Sequence, residues 1–135
     1  MGLATKSLLA LDVGEKRIGV ATASSAIRIA IPLTTLEVDG TEIQEIARII
    51  ADENTDTIVV GYPRNQSGEA TAQTAYAEAF AAQLDGMAGE IVFQDESLTS
   101  VIAEDQLKRD KRPYTKADID ARAAVLILQD YLETH

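Results

Sequence analysis

The run Leu8-Leu9-Ala10-Leu11-Asp12-Val13 limits this chain more than any other part of it. Consecutive apolar residues at strand length read as a central strand covered on both faces, the pattern of a sheet flanked by helices. Within that run stands a carboxylate. An unpartnered buried Asp12 would cost several kcal/mol or take up a proton, so it needs a backbone amide, a basic side chain or a metal ion beside it.

The rest of the pattern supplies the sheet. Gly14-Glu15 suits a turn and Arg17 to Ala23 a second strand, so the first unit is a hairpin. A third strand is expected near Leu33 to Leu36. Thr41-Glu42-Ile43-Gln44 matches a capping box, and Ile43, Ile46, Ala47 and Ile50 follow at helical spacing to about Glu53. Thr57 to Val60 reads as a buried strand stopping at Gly61. Ser67-Gly68 reads as the opening of an alanine-rich helix carrying Tyr76, Phe80 and Leu84, and Ile91 to Phe93 as a short buried strand stopping at Gln94-Asp95-Glu96. Two more helices are expected, from Thr99 or Ser100 to about Leu107 and from Asp118 to Glu133. Strands alternating with helices late in the chain imply parallel pairing. The expectation is one α/β domain over residues 1–135, a mixed five-stranded sheet with helices on both faces.

Composition removes several chemistries. There is no cysteine, which excludes disulfides, zinc-thiolate sites and thiol nucleophiles, and the one histidine is His135 at the C-terminus. No apolar run approaches the roughly 20 residues of a membrane span, and no secretion signal is visible, so a cytoplasmic protein is expected. The net charge of -10 argues against nucleic acid until its distribution is considered. Lys108, Arg109, Lys111, Arg112, Lys116 and Arg122 place six of the twelve basic residues in one short segment, and Lys16, Arg17 and Arg64 fall in two other candidate loops.

In open α/β sheets the ligand crevice lies outside the carboxyl ends of the parallel strands. Asp12, the Gly61-Tyr62-Pro63-Arg64-Asn65 segment and the Asp95-Glu96 pair all fall there. The last helix adds Asp120, whose neighbours at helical spacing are Ala123, Ala124, Ile127, Leu128 and Tyr131, so it faces inward while Asp118 faces solvent. Carboxylates gathered on one edge repel unless a cation joins them, and oxygen ligands without histidine or cysteine suit magnesium or manganese. Two such ions roughly 4 Å apart support phosphodiester hydrolysis. Arg64 and Asn65 are candidate phosphate contacts beside a helix N-terminus. Lys108, Arg109, Lys111 and Arg112 are expected to form a mobile clamp on nucleic acid, with Tyr114 as a stacking candidate.

Asp12-Val13-Gly14-x-Lys16-Arg17-Ile18-Gly19-Val20-Ala21 resembles the opening motif of the YqgF/RuvX family. Gly61-x-Pro63-x-Asn65-x-x-Gly68, Asp95-Glu96-x-Leu98-Thr99-Ser100 and Ile119-Asp120-x-x-Ala123-Ala124-x-x-Ile127-Leu128 resemble its later motifs, in family order. The resemblance implies an RNase H-like fold and a metal-dependent nuclease maturing the 5′ end of pre-16S ribosomal RNA. It also implies Asp12, Glu96 and Asp120 as the catalytic, Mg2+- or Mn2+-binding triad, with Asp95 in reserve should the strand register turn Glu96 away. Where the family usually carries arginine or tyrosine after the glutamate, this chain has Ser97. Branched DNA is the alternative substrate, and the small-subunit precursor a candidate partner of the monomer or homodimer. A non-catalytic rRNA-binding assembly factor and an ATP-binding module are the competing readings. The latter is weakened because the actin and sugar-kinase group needs two such domains.

Overall fold

The computed structural model describes residues 5–63, 71–96 and 99–135. Five strands, β1 (Ser7–Val13), β2 (Arg17–Ser24), β3 (Ile31–Glu37), β4 (Thr57–Pro63) and β5 (Glu90–Glu96), form one sheet in the order β3-β2-β1-β4-β5. The first three pair antiparallel, and β1-β4 and β4-β5 pair parallel. The helices are α1 (Glu42–Glu53), α2 (Ala72–Ala82), α3 (Thr99–Arg109) and α4 (Lys116–Thr134).

Strand alternation divides the core in two. Leu9, Leu11, Val13, Ile18, Val20, Ile58 and Val60 meet α1 and α2 through Ile46, Ile49, Ile50, Phe80 and Leu84. Leu8, Ala10, Ala21, Ala23 and Val59 meet α4 through Ala124, Ile127, Leu128 and Leu132 on the other face. The alanines of this second layer let α4 lie close to the sheet, and α3 packs on α4. No helix among the described residues is long and apolar enough to cross a membrane.

Several boundaries differ from the sequence pattern for identifiable reasons. Pairing with β5 carries β4 beyond Gly61 to Pro63, since Gly61, Tyr62 and Pro63 lie opposite Gln94, Asp95 and Glu96. That register also extends β5, which is an edge strand with Phe93 exposed and not the buried strand expected. The capping box at Thr41 is absent: its hydroxyl is turned to Asp39, donating to Oδ1 (2.6 Å), and makes no capping bond to the helix amides. Helix α2 starts from an N-cap at Thr71, with a reciprocal Thr71–Thr74 box, and not from Ser67-Gly68, which lie outside the described residues.

Candidate active site

The parity of β1 fixes where Asp12 stands. Leu8 and Ala10 belong to the α4 layer, and Asp12 continues that set at the carboxyl end of the strand. Asp12 pairs across the ladder with Gly19, and Gly19 pairs with Thr35 on β3. A Cβ built on Gly19 would lie 1.9 Å from the backbone oxygen of Asp120 and 2.3 Å from its carbonyl carbon. Only hydrogen fits there. The glycine therefore lets the first turns of α4 rest directly on β2, a close backbone approach of the kind that interior strand glycines serve. Thr35 Oγ1 donates to the Ala117 carbonyl at 2.6 Å and ties the start of the same helix to β3. Register and one missing side chain thus bring Asp120 onto the strand position beside Asp12.

The N-terminus of α4 is set by a capping box that the sequence pattern did not single out. Thr115 Oγ1 accepts from the Asp118 amide (3.2 Å), and Asp118 Oδ2 accepts from the Thr115 amide (2.8 Å). Asp118 is exposed, as its place on the helix predicts, and Asp120 is partly buried. The partner that Asp120 requires is Arg17, whose Nε donates to Oδ2 at 2.6 Å. Their side chains remain 28% and 20% exposed, so solvent still screens the pair. The hydrogen bond to Asp120, then its negative charge, holds the Arg17 guanidinium above its ordinary pKa.

Arg17 opens β2 directly after the turn in which the Gly14 amide donates to the Arg17 carbonyl (3.0 Å). Lys16, in that turn, is exposed. Gly14, Glu15, Lys16, Arg17, Gln73 and Asp120 line an open groove of about 290 Å³. Gln73, on the first turn of α2, is the wall residue that no motif announced.

Other expected residues are placed less fully. Glu96 ends β5 opposite Pro63, and its side chain lies outside the described residues, as do Arg64 and Asn65. Asp95 lies opposite Tyr62, whose hydroxyl donates to Glu78 of α2 (3.2 Å) and whose ring meets Phe93 edge-on at 5.2 Å. Asp95 therefore shares the α2 face and not the face of Asp12, which removes it as a reserve ligand. Lys108 and Arg109 end α3, Lys111 has φ 57° with its amide on the Lys108 carbonyl (3.2 Å), and Arg112 is exposed beyond it. Tyr114 donates its hydroxyl to Glu104 Oε2 at 2.9 Å, so it pins the connector to α3.

Among the described residues no three acidic, histidine or cysteine side chains group as a metal site. Asp12 is the ladder partner of Gly19, and the Asp120 backbone rests on that same glycine. Carboxylates without histidine or cysteine are the donor chemistry that suits a hard divalent cation.

The fold is that of the RNase H-like resolvases. The chain is similar to T. thermophilus RuvC solved with a Holliday junction substrate (TM-score 0.56, 12% identity, 96% of this chain and 94% of that one). It is also similar to the Fowlpox virus resolvase solved with Holliday junction DNA (TM-score 0.59, 12% identity, 95% and 97% covered). Residues 6–134 match the family described as RuvX, Holliday junction resolvase, and the chain belongs to that family. Relatives named "Putative pre-16S rRNA nuclease" include one from Chloroflexus aurantiacus, 42% identical over 131 residues covering 93% of this chain and 86% of the relative. Another, from Shewanella oneidensis, is 38% identical over 135 residues covering 96% of each. Family and fold together make the chain a hydrolase of phosphodiester bonds.

Proposed function

We propose that this chain is a metal-dependent endonuclease of structured nucleic acid, acting in the cytoplasm to mature the 5′ end of pre-16S rRNA. The observation that supports this reading is the close packing of the Asp120 backbone on Gly19, the ladder partner of Asp12 at the carboxyl end of β1. The names of the relatives supply the substrate.

Asp12, Glu96 and Asp120 would hold Mg2+ or Mn2+, which when bound supplies a Lewis acid for the phosphate and a more acidic water. Within the chain, β1 and α4 carry the two described carboxylates, and Arg17 donates a hydrogen bond to Asp120. Lys16 and Arg17 border the groove that would take the phosphate backbone. Arg64, Asn65, Lys108, Arg109, Lys111 and Arg112 would extend that contact.

The test is cleavage of a pre-16S 5′-end RNA and of a four-way DNA junction with Mg2+ or Mn2+, comparing wild type with Asp12→Asn and Asp120→Asn. Metal-dependent cutting of the RNA that both variants lose is expected. Preferential cutting of the junction would support the second reading, a DNA resolvase, which the fold likeness to junction resolvases favours. RNA binding without cutting by wild type would identify an assembly factor, and ATP binding alone a nucleotide module.

A further inference from the structure

A surface remote from these carboxylates is built in a way the nuclease reading leaves unexplained. The segment between β2 and β3 is anchored at alternate residues. Arg28, at φ 61°, donates its guanidinium to the Leu132 carbonyl of α4. Gln129 accepts from the Ala30 amide (3.1 Å) and donates to the Arg28 carbonyl (3.4 Å). With Arg28 and Ala30 held against α4, the residues between and on either side of them turn outward: Ile27 is 70%, Ile29 62% and Ile31 54% exposed. Leu33, 40% exposed, continues the row at a bulge, since Val20 pairs with Thr34 and Ala21 with Pro32. Ile27, Ile29, Ile31 and Leu33 thus concentrate exposed aliphatic side chains at every second position of one segment, the kind of surface feature that marks interaction sites.

This row runs into a groove of about 400 Å³ between β3 and α1. Leu33, Leu36 and Ile49 are its apolar residues, and Glu45, Asp52 and Glu53 are its acidic ones. The one cation there, Arg48, is already paired with Glu45 (2.6 Å) and Asp52 (3.7 Å), so the rim stays negative. A negative rim repels nucleic acid. A second copy would bring the same acidic rim against itself, at a net charge of -10 per chain. Pro32 and the bulge also spoil β3 as a template for a strand from another copy. What complements the face is an aliphatic segment with flanking positive charge.

We propose that the isoleucine row and the β3–α1 groove form a docking face for a basic, aliphatic segment of another protein. The apolar side chains of that segment cover Ile27, Ile29, Ile31 and Leu33, and its lysines or arginines meet Glu45, Asp52 and Glu53. The contact runs through side chains and not through strand addition.

A fluorescein-labelled peptide of alternating lysine and leucine, titrated against the full chain by anisotropy, tests this. The face should bind it, and Ile29→Ser with Leu33→Asn, or Asp52→Lys alone, should weaken binding about tenfold. Asp85→Lys, an exposed charge reversal beyond α2, should leave it unchanged, and a glutamate–leucine peptide should not bind. All these substitutions are at exposed positions, and circular dichroism with thermal melting would confirm their folding. Equal weakening by Asp85→Lys, or no weakening by the face variants, would overturn the proposal. So would a wild-type dimer in sedimentation equilibrium that Ile29→Ser/Leu33→Asn dissociates, because the face would then join two copies.

Discussion

A methyl group at position 19 would strike the backbone of α4, and that single constraint links stability to chemistry. Gly19→Ala must push the helix off the strand. The expected cost is about 1–3 kcal/mol, as for other overpacked positions, together with loss of cleavage because Asp120 moves away from Asp12. Asp120→Asn should separate the two effects. It removes cleavage but alters only a partly exposed, solvent-screened ion pair, so the melting temperature should change little. Melting temperature and cleavage rate measured on both variants check this; a Gly19→Ala protein with wild-type stability would show that α4 does not rest on β2 as described. Arg17 makes a second prediction at the same scale. Its charge lies on the carboxylate that a cation would share, so Arg17→Gln should tighten Mn2+ binding by calorimetry about three- to tenfold. The same variant should weaken nucleic-acid binding. Weaker Mn2+ binding would mean that Arg17 serves chiefly to orient Asp120.

The connector between α3 and α4 carries its own titration. The hydrogen bond to Glu104, then burial and the nearby negative charges, raise the Tyr114 hydroxyl above its ordinary pKa near 10.0. The protonated phenol is the form that donates, so the hydrogen bond is present below the unfolded pKa and disappears as pH rises through the higher folded value. Tyr114→Phe should therefore melt below wild type at neutral pH, and the difference between the two should begin to shrink only above about pH 10, as the phenol ionises. At the neighbouring helix start, Thr115→Ala should cost about 1 kcal/mol by deleting half of the Thr115–Asp118 box. This connector also shows what sequence can and cannot convey. The inward turn of Asp120 and outward turn of Asp118 are legible, because helical spacing places apolar neighbours on the side of Asp120. The two-sided sheet is legible from its continuous apolar strands, the hairpin from the Gly14-Glu15 turn, and the parallel pairings from the alternation of strands with helices. The Thr41 box is legible but wrong, because Asp39, two residues away, competes for the hydroxyl. The ends of β4 and β5 are not legible, because pairing there outlasts the apolar run. The Arg17–Asp120 pair joins residues 103 positions apart, a distance across which no local pattern speaks. Gly19 stands in plain view within the opening motif. Its signal is a glycine inside a strand, and its meaning depends on the helix that arrives a hundred residues later.

Taken whole, the molecule is negative, yet its described cations are unevenly spread. Lys16 and Arg17 border the candidate site, and Lys108, Arg109, Lys111 and Arg112 surround the end of α3, while the β3–α1 side carries an acidic rim. A uniformly acidic chain would bind nucleic acid poorly, and salt would improve matters by screening the repulsion. A chain with a local basic segment should behave in the opposite way. Its affinity should fall as salt rises, because each neutralised phosphate releases condensed counterions. Replacing Lys108, Arg109, Lys111 and Arg112 with alanine should then flatten the slope of log affinity against log salt by about 0.7–0.9 for each phosphate no longer neutralised. Lys108 and Arg109 also stand in the last turn of α3, where each interacts favourably with the helix dipole by about 0.3–1 kcal/mol, so a small drop in melting temperature is expected alongside. The two roles separate by pairs. Lys111→Ala/Arg112→Ala, beyond the helix, should change the salt slope with little effect on melting. Lys108→Ala/Arg109→Ala should change both. If the four-residue variant lowers the melting temperature and leaves the slope at its wild-type value, these charges serve the helix end alone, and the phosphate-binding groups must be sought at Lys16, Arg17, Arg64 and Asn65.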